Sequence, residues 1–187
     1  MSTPKHYYNY YRLHWFLLLC PLFLLGSFGL LQAEEVNQEY QLKAAFLVNF
    51  SRFITWPEQS FSPEHQEVTF CIAGKNPFGA TLSAVDGKKI SGRNIRVVFA
   101  DSLQKLPQCH LLYVSSSEKN DLASLSSRVG YRPVVTVSDI PGFVAAGGSI
   151  EFVIKEDRLS FIINNSDLKQ RGIQASAAML DLAASVR

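Results

Sequence analysis

The sequence has 187 residues, with 18 lysines and arginines against 16 aspartates and glutamates, which gives a formal net charge of +2. This balance provides no basic stripe for a nucleic acid and no long acidic or basic tail. We therefore predict no nucleic-acid partner. The length suits one domain with a real core, and we find no internal repeat or low-complexity tract.

The first 33 residues have the pattern of a secretory signal peptide. Lys5 and Arg12 precede an almost wholly apolar run over 16–31, and Ala33 is followed at once by two glutamates. The alternative is an uncleaved anchor, but the run is shorter than the roughly 20 residues of a spanning helix. We predict cleavage after Ala33. The remaining domain, residues 34–187, then has sixteen basic and sixteen acidic residues, because Lys5 and Arg12 are the only charged residues removed.

Two cysteines remain after the predicted cleavage, Cys71 and Cys109. In an exported chain two cysteines most simply form one disulfide, while two buried free thiols are the alternative. His65 and His110 are the only histidines of residues 34–187, and no cluster of ligands surrounds them. We therefore predict no metal site.

The stretch KAAFLVNFSRFITWP, residues 43–57, predicts the end of an amphipathic helix that runs from Glu39 to Ile54. Its apolar residues recur at helical spacing on one side, and Pro57 disfavours helical backbone before it. A core helix packed on a sheet is the simplest interpretation. The residues of the apolar side are Phe46, Leu47, Phe50, Phe53 and Ile54.

Strands then alternate with helices, which favours an α/β fold with a mostly parallel sheet and helices on its faces. The predicted strands are 67–74, 88–90, 95–99, 110–115 and 134–137. One predicted helix is capped by Asn76, starts at Pro77 and runs to about Val85, and a second covers 117–128 with Leu122, Leu125 and Val129 on one side.

The C-terminal part changes character. Residues 149–154 and 159–164 alternate between apolar and other side chains, which predicts an antiparallel hairpin with one buried face. That face would carry Ile150, Phe152, Ile154, Leu159, Phe161 and Ile163. A final helix would be capped by Ser166, interrupted near Gly172 and resumed to about Ser185.

No catalytic motif is recognisable. The sequence contains no nucleophile elbow, no phosphate-binding loop and no dinucleotide fingerprint. Asp101 and His110 could be paired as acid and base, but a turn residue and a strand residue beside a disulfide explain them more simply. We predict that the protein is not an enzyme and needs no cofactor.

One loop has the composition of a ligand site. Residues 138–148 follow a predicted strand, where open α/β sheets tend to bind ligands. Ser138, Asp139 and Phe143 supply polar and aromatic groups, and Asn76 lies in the turn after another strand. The alternative is a structural crossover in which Phe143 fills the core.

Several segments together resemble the YfiR family of periplasmic regulators. They are the helix above, FCIAGKNPFG, GRNIRVV, CHLLYV, VVTVSDIPGF with GGSIEFVI, and LSFIINNSDLKQRGI. The similarity covers roughly residues 37–185. It implies a compact α/β domain that tends to dimerise, and it implies that Cys71 and Cys109 form the family's disulfide. A second cysteine pair, which some members carry near the Gly-Gly loop, is missing from this sequence.

The resemblance also implies a function. Such a protein would bind the periplasmic domain of a YfiN-type inner-membrane diguanylate cyclase and hold it inactive, which lowers cyclic di-GMP and biofilm formation. Sequestration at a YfiB-type outer-membrane lipoprotein would release the enzyme. A periplasmic small-ligand-binding module that controls another membrane sensor is the alternative. Trp56 and Phe61, close to the end of the first helix, are our candidate partner contacts, although Phe61 could instead pack on the core.

Overall fold

The computed structural model describes the backbone of residues 27–187 and the side chains of residues 38–187. The predicted signal peptide and its cleavage site after Ala33 lie outside the residues whose side chains are described. The chain divides after Glu39, and residues 40–187 form one compact unit. Within residues 27–187, none of the helices combines the length and the apolar composition that a membrane span requires.

Ten strands and four α-helices make up the described chain. In chain order they are α1 (Ser27–Phe53), β1 (Ile54–Thr55), β2 (Val68–Ala73), β3 (Lys89–Ile90), β4 (Arg93–Ala100), β5 (Leu111–Val114), α2 (Leu125–Val129), β6 (Val135–Ser138), β7 (Ile150–Lys155), β8 (Arg158–Ile163), α3 (Asn165–Gln170), β9 (Gln174–Ala175), α4 (Ala177–Leu182) and β10 (Ser185–Val186).

Eight strands form one sheet in the order β10-β8-β7-β6-β5-β2-β4-β3, and β1 and β9 form a separate antiparallel pair. Pairing within the large sheet is parallel except between β3 and β4 and between β7 and β8. The predicted α/β class, the mostly parallel sheet and the C-terminal hairpin followed by a helix are therefore confirmed.

The chain reverses its direction of winding at β2. It passes from β2 to β4 on one side and then returns to β5 on the other side. In open α/β sheets, the crevice at such a reversal, beyond the carboxyl ends of the strands, is where ligands bind. The carboxyl ends of β2, β5 and β6 are therefore the place where this rule predicts a ligand site.

Two apolar cores lie on the two sides of the sheet. Alternate residues of β2 separate into them, because successive side chains of a strand point to opposite faces. Phe70 and Ile72 join the core that includes Leu47 and Phe50 of α1. Cys71 and Ala73 join the second core, which includes α2.

Helix α1 begins at Ser27, twelve residues before the predicted start at Glu39. Residues 30–43 contain no proline or glycine and many good helix formers, so the helix has no reason to start later. On its predicted apolar side Leu47 and Phe50 are buried, Phe46 is partly buried, and Phe53 is 38% exposed. The core-helix interpretation is confirmed for this part of the chain, with Phe53 as the exception.

The helix predicted from Pro77 to Val85 is wrong. Asn76 Oδ1 accepts a hydrogen bond from the backbone N–H of Phe78, and Asn76 Nδ2 donates to the carbonyl of Gly79. This local turn competes with a helix, and Gly79 has a φ of +55°. Only a 3₁₀ turn, Ser83–Val85, is helical here.

The second predicted helix is also different. Ser116–Ser124 is a 3₁₀ helix, and α-helix exists only over Leu125–Val129. The Ser124 hydroxyl donates to the carbonyl of Asp121, and such side-chain bonds disfavour a regular α-helix. The apolar side is nevertheless as predicted at Leu125 and Val129, which are buried.

The C-terminal part needs three corrections. Asn164, not Ser166, caps α3, because its Oδ1 accepts from the backbone N–H of Asp167. The last helix ends at Leu182, and the predicted helical residue Ser185 lies in β10 instead. In the hairpin, Ile154 is 63% exposed, because it lies beyond the end of the core next to the turn.

Candidate functional site

A buried ion pair lies at the carboxyl edge of the sheet. Asp139 follows β6 directly, and Lys43 Nζ from α1 donates to its Oδ2 over 2.6 Å. The Tyr40 hydroxyl donates to the same oxygen over 2.9 Å. The side chains of Lys43 and Asp139 are only 4% and 13% exposed. This pair fixes α1 to the loop that the sequence indicated as a ligand site.

Two aromatic rings complete the arrangement. Tyr113 of β5 is fully buried, and its ring meets that of Phe78 edge to face at 4.7 Å. Phe78 in turn meets Tyr40 at 5.5 Å. We call these five residues the carboxyl-edge cluster: Tyr40, Lys43, Phe78, Tyr113 and Asp139.

The electrostatics of the cluster set the protonation of its members. Burial opposes ionisation of Asp139, but the hydrogen bond and the charge of Lys43 outweigh it, so the pKa of Asp139 lies below its ordinary value. Burial, and next the negative charge of Asp139, raise the pKa of Tyr113 far above its ordinary value. At neutral pH the carboxylate is therefore ionised and the phenol keeps its proton.

The other candidate ligand residues hold the loops together. The Ser138 hydroxyl donates to the carbonyl of Val114 and accepts from the backbone N–H of Ile140. Phe143 is fully buried, and a Cβ on Gly148 would come within 2.2 Å of its ring. Asn76 forms the turn described above. Of the four candidates, Asp139 alone belongs to the cluster, and the ligand site stays a prediction.

The backbone amides of the loop already have an anionic partner. Glu151 of β7 is buried, and its two carboxylate oxygens accept from the N–H groups of Gly142 and Val144 at 2.9 and 3.0 Å. A carboxylate of the protein thus takes the position that an anionic ligand would need at these two amides.

The candidate partner contacts Trp56 and Phe61 surround His110. Trp56 is only 6% exposed, and its Nε1–H donates to the His110 carbonyl over 3.1 Å. Phe61 is partly buried, and its ring is stacked on the imidazole with centroids 4.5 Å apart. The Arg93 guanidinium also lies over the Phe61 ring, 3.7 Å from its centroid. Of the two, only Phe61 offers appreciable surface to a partner.

His110 is held in one neutral tautomer. Its Nδ1 accepts from the backbone N–H of Thr69, and its Nε2–H donates to the carbonyl of Ser60. Burial lowers the pKa of His110, and the charge of Arg93 acts in the same direction. Protonation at Nδ1 would turn an acceptor into a second donor facing the Thr69 N–H. The residue is therefore a structural junction.

Cys71 and Cys109 form a disulfide with Cα atoms 5.8 Å apart. It links β2 to the residue before His110, at the amino end of the parallel strands. Of the two alternatives left by the residues alone, the structure has the disulfide, as the family resemblance implied.

A pocket of about 420 Å³ lies elsewhere, beside the exposed ring of Tyr131. Its cation, Arg171, is already paired with Asp167 and donates to the carbonyls of Gly130 and Arg132. Among the residues that the structure describes, no three His, Cys, Asp or Glu side chains gather as a metal site.

Sequence reasoning missed four members of the cluster, which are Tyr40, Lys43, Phe78 and Tyr113. One signal could have found Lys43, because it lies four and seven residues before Leu47 and Phe50 and so on the buried side of α1. A lysine there requires an anionic partner. Tyr113 lies in an otherwise apolar strand, and no sequence pattern distinguishes a tyrosine that belongs to a polar cluster from one that only fills the core.

Comparison with known proteins identifies the family. A conserved domain protein from Vibrio cholerae O1 biovar El Tor strain N16961 is 11% identical with a TM-score of 0.49, over 64% of this chain and 55% of that chain, too little for any inference. No curated protein matches. Residues 40–184 match the family described as YfiR/HmsC-like (DUF4154). The chain therefore belongs to the YfiR/HmsC-like family, whose members are generally periplasmic regulators of diguanylate cyclases.

Proposed function

We propose that this protein is a periplasmic negative regulator that binds the periplasmic domain of an inner-membrane diguanylate cyclase and keeps the enzyme inactive. The family match over residues 40–184 is the observation that carries this proposal. A YfiN-type cyclase is the partner we propose, with a YfiB-type outer-membrane lipoprotein as the competing ligand and a homodimer as the resting form.

The mechanism is a shift between two states of the enzyme. A protein outside the membrane inhibits a catalytic domain inside it only by binding one conformation of the outer domain more tightly than the other. A change from almost fully active to almost fully inactive needs a differential affinity of about 5.5 kcal/mol. An interface of standard size, roughly 1,600 Å² in total, is sufficient when it has a few well-placed apolar anchors.

An exposed apolar strip on α1 and the hairpin supports a docking surface. Leu42, Phe46 and Phe53 share one side of the helix, and Leu42 and Phe53 are 47% and 38% exposed. The Phe46 ring contacts that of Phe152 at 5.9 Å, and Ile154, two residues further along the same strand face, is 63% exposed. We propose that this strip contacts the cyclase, and that Phe61 contributes at a separate place.

The test is cyclic di-GMP in cells that contain the cyclase and one variant of this protein. Ile154→Glu should raise cyclic di-GMP toward the level of a deletion, because a buried unpaired charge opposes docking. Phe99→Glu is the matched control, since Phe99 is 46% exposed and lies on β4, four strands away from β7 in the sheet. Phe61→Glu tests the second place.

Two results would contradict the proposal. Cyclic di-GMP that does not change when the gene is deleted beside an intact cyclase would reject repression itself. The second result is equal repression by Ile154→Glu, Phe61→Glu and the control, with circular dichroism showing that all three are folded. It would reject both contact surfaces but not the role as a regulator.

A second candidate function is a small-ligand-binding module that controls another membrane sensor. The carboxyl-edge cluster favours it, because Asp139 and Tyr113 lie at the edge where α/β sheets bind ligands. A thermal-shift screen with amino acids, nucleotides and sugars is the test. A compound that stabilises wild type and Asp139→Ala equally would not bind here.

A further inference from the structure

The pocket beside Tyr131 lies at the opposite edge of the sheet from the carboxyl-edge cluster. Gly130 and Tyr131 precede β6, Gly147 precedes β7, and α3 follows β8, which runs antiparallel to β7. These segments therefore meet at the amino ends of β6 and β7. We call the pocket the Tyr131 cleft, and its volume of about 420 Å³ is in the range of small-molecule sites.

The walls of the Tyr131 cleft are fixed to each other by polar bonds. Arg171 Nε donates to Asp167 Oδ1 over 2.9 Å, and the two side chains are only 8% and 15% exposed. Arg171 Nη1 donates to the carbonyl of Gly130 over 2.6 Å, which connects the end of α3 to the turn that carries Tyr131. Asp167 Oδ2 accepts from the Ser149 hydroxyl, just before β7, over 2.7 Å. The cleft is therefore formed in advance, and binding requires little ordering of the protein.

One end of the Arg171 guanidinium remains available to a ligand. Its Nε and Nη1 have protein acceptors, whereas Nη2 has none among the described residues. Nη2 is nevertheless not one of the buried side-chain atoms that lack a partner in this part of the chain. It therefore keeps contact with solvent, through the cleft that Arg171 lines. Its N–H groups are donors for an oxygen atom of a ligand.

Tyr131 adds a flat apolar surface next to this donor. The residue is 87% exposed and lines the cleft, so its ring is free of packing duties. A single exposed ring needs no explanation by itself, but this one stands beside a preformed cleft. A Cβ on Gly147 would come within 3.1 Å of Ser126 Oγ, so the glycine keeps the space between these two walls open.

The charges and the lining groups select the class of ligand. Arg171 is neutralised by Asp167, and no other described residue that lines the cleft is charged, so neither an anion nor a cation is favoured. The hydroxyls of Ser126 and Ser166 and the amide of Gln170 both donate and accept hydrogen bonds. A sugar matches this set, because its hydroxyls also donate and accept, and the C–H face of its ring packs on an aromatic ring.

We propose that the Tyr131 cleft binds a neutral sugar, with one face of the sugar ring on Tyr131 and one sugar oxygen accepting from Arg171 Nη2. The proposal is independent of docking to a cyclase. It also concerns a different place from the second candidate function, which uses the opposite edge of the sheet.

An NMR titration of the purified protein with glucose and with N-acetylglucosamine is the test. We expect both sugars to shift the resonances of Tyr131 and Gly147, with a Kd in the millimolar range. Glucuronate, protonated glucosamine and uracil are the comparison compounds, and each should bind more weakly than the neutral sugars. The proposal is overturned if neither neutral sugar shifts these resonances at about 100 mM, or if a comparison compound binds as tightly or more tightly.

Variants of two exposed residues then locate the bound sugar. Tyr131→Ala should weaken binding about 2–10-fold, while Tyr131→Phe keeps the ring and should bind like the wild type. Ser126→Phe should fill the cleft and abolish binding, and Ser127→Phe is its matched control, because Ser127 is exposed on the same helix but does not line the cleft. Exposed positions tolerate such changes, so the variants should fold. Unchanged affinity in either Tyr131→Ala or Ser126→Phe would overturn the assignment to this cleft.

Discussion

Replacing Lys43 by methionine tests whether the buried ion pair holds α1 to the sheet. Methionine keeps about the length of the lysine side chain and replaces its apolar stem, but it leaves Asp139 without the ammonium group. Because both side chains are at least 87% buried, the carboxylate cannot recover much hydration. Removing one partner of such a pair costs roughly 3–5 kcal/mol. Since 1 kcal/mol shifts the melting temperature of a domain of this size by about 2–4 °C, we expect a decrease of roughly 6–20 °C.

The assays are thermal unfolding and urea unfolding, both followed by circular dichroism, with Lys105→Met as the matched control. Lys105 is exposed, so its replacement should change the unfolding free energy by less than about 0.5 kcal/mol. A cycle with Asp139→Asn and the double variant should give a coupling of about 1–3 kcal/mol. If Lys43→Met were as stable as the control variant, the pair would not stabilise the protein and our reasoning would be wrong.

The same pair predicts a dependence on pH. Because the pKa of Asp139 is lower in the folded protein than its ordinary value of 3.8, its contribution is complete above that value and is lost as pH falls through the folded pKa. The free energy of unfolding of the wild type should therefore decrease below about pH 4, and this decrease should be smaller in Lys43→Met.

Three further predictions concern other parts of the fold. The pKa of His110 is lowered on folding from 6.5, so the free energy of unfolding should decrease as pH drops below 6.5. His110→Gln should remove this dependence on pH, while His65→Gln, at an exposed position, should keep it. The same pH dependence in both variants would contradict the buried neutral tautomer. Reduction of the Cys71–Cys109 bond, whose sequence separation is 38 residues, should lower the unfolding free energy in urea by about 4 kcal/mol, and a Cys71→Ser/Cys109→Ser protein as stable as wild type would refute this. Gly148→Ala should lower the free energy of unfolding by about 1–3 kcal/mol, because the added methyl group would meet the Phe143 ring. Adding Phe143→Leu should recover part of this loss. An unaltered urea midpoint for Gly148→Ala would show that the ring moves aside freely.

The sequence predicted the class of fold because its signals are local. Alternating apolar runs, Gly-rich turns and the amphipathic side of α1 depend on spacing within one segment, so the strands that were predicted and the hairpin were correctly placed, whereas the two-residue strands β1, β9 and β10 were missed. The helices after β2 and β5 were wrong because side chains such as Asn76 bond to nearby backbone, and propensity alone does not reveal which of the two arrangements is more stable.

Sequence alone therefore determined the α/β class, the two-cysteine arrangement and the resemblance to a family of regulators, since each is carried by residues read in order along the chain. Only the tertiary structure decided that Asp139 meets Lys43 and Tyr40 across nearly a hundred residues, and that Ser138 and Phe143 serve the loop itself. Long-range pairing of this kind follows from how the sheet and α1 pack, and packing depends on all side chains at once.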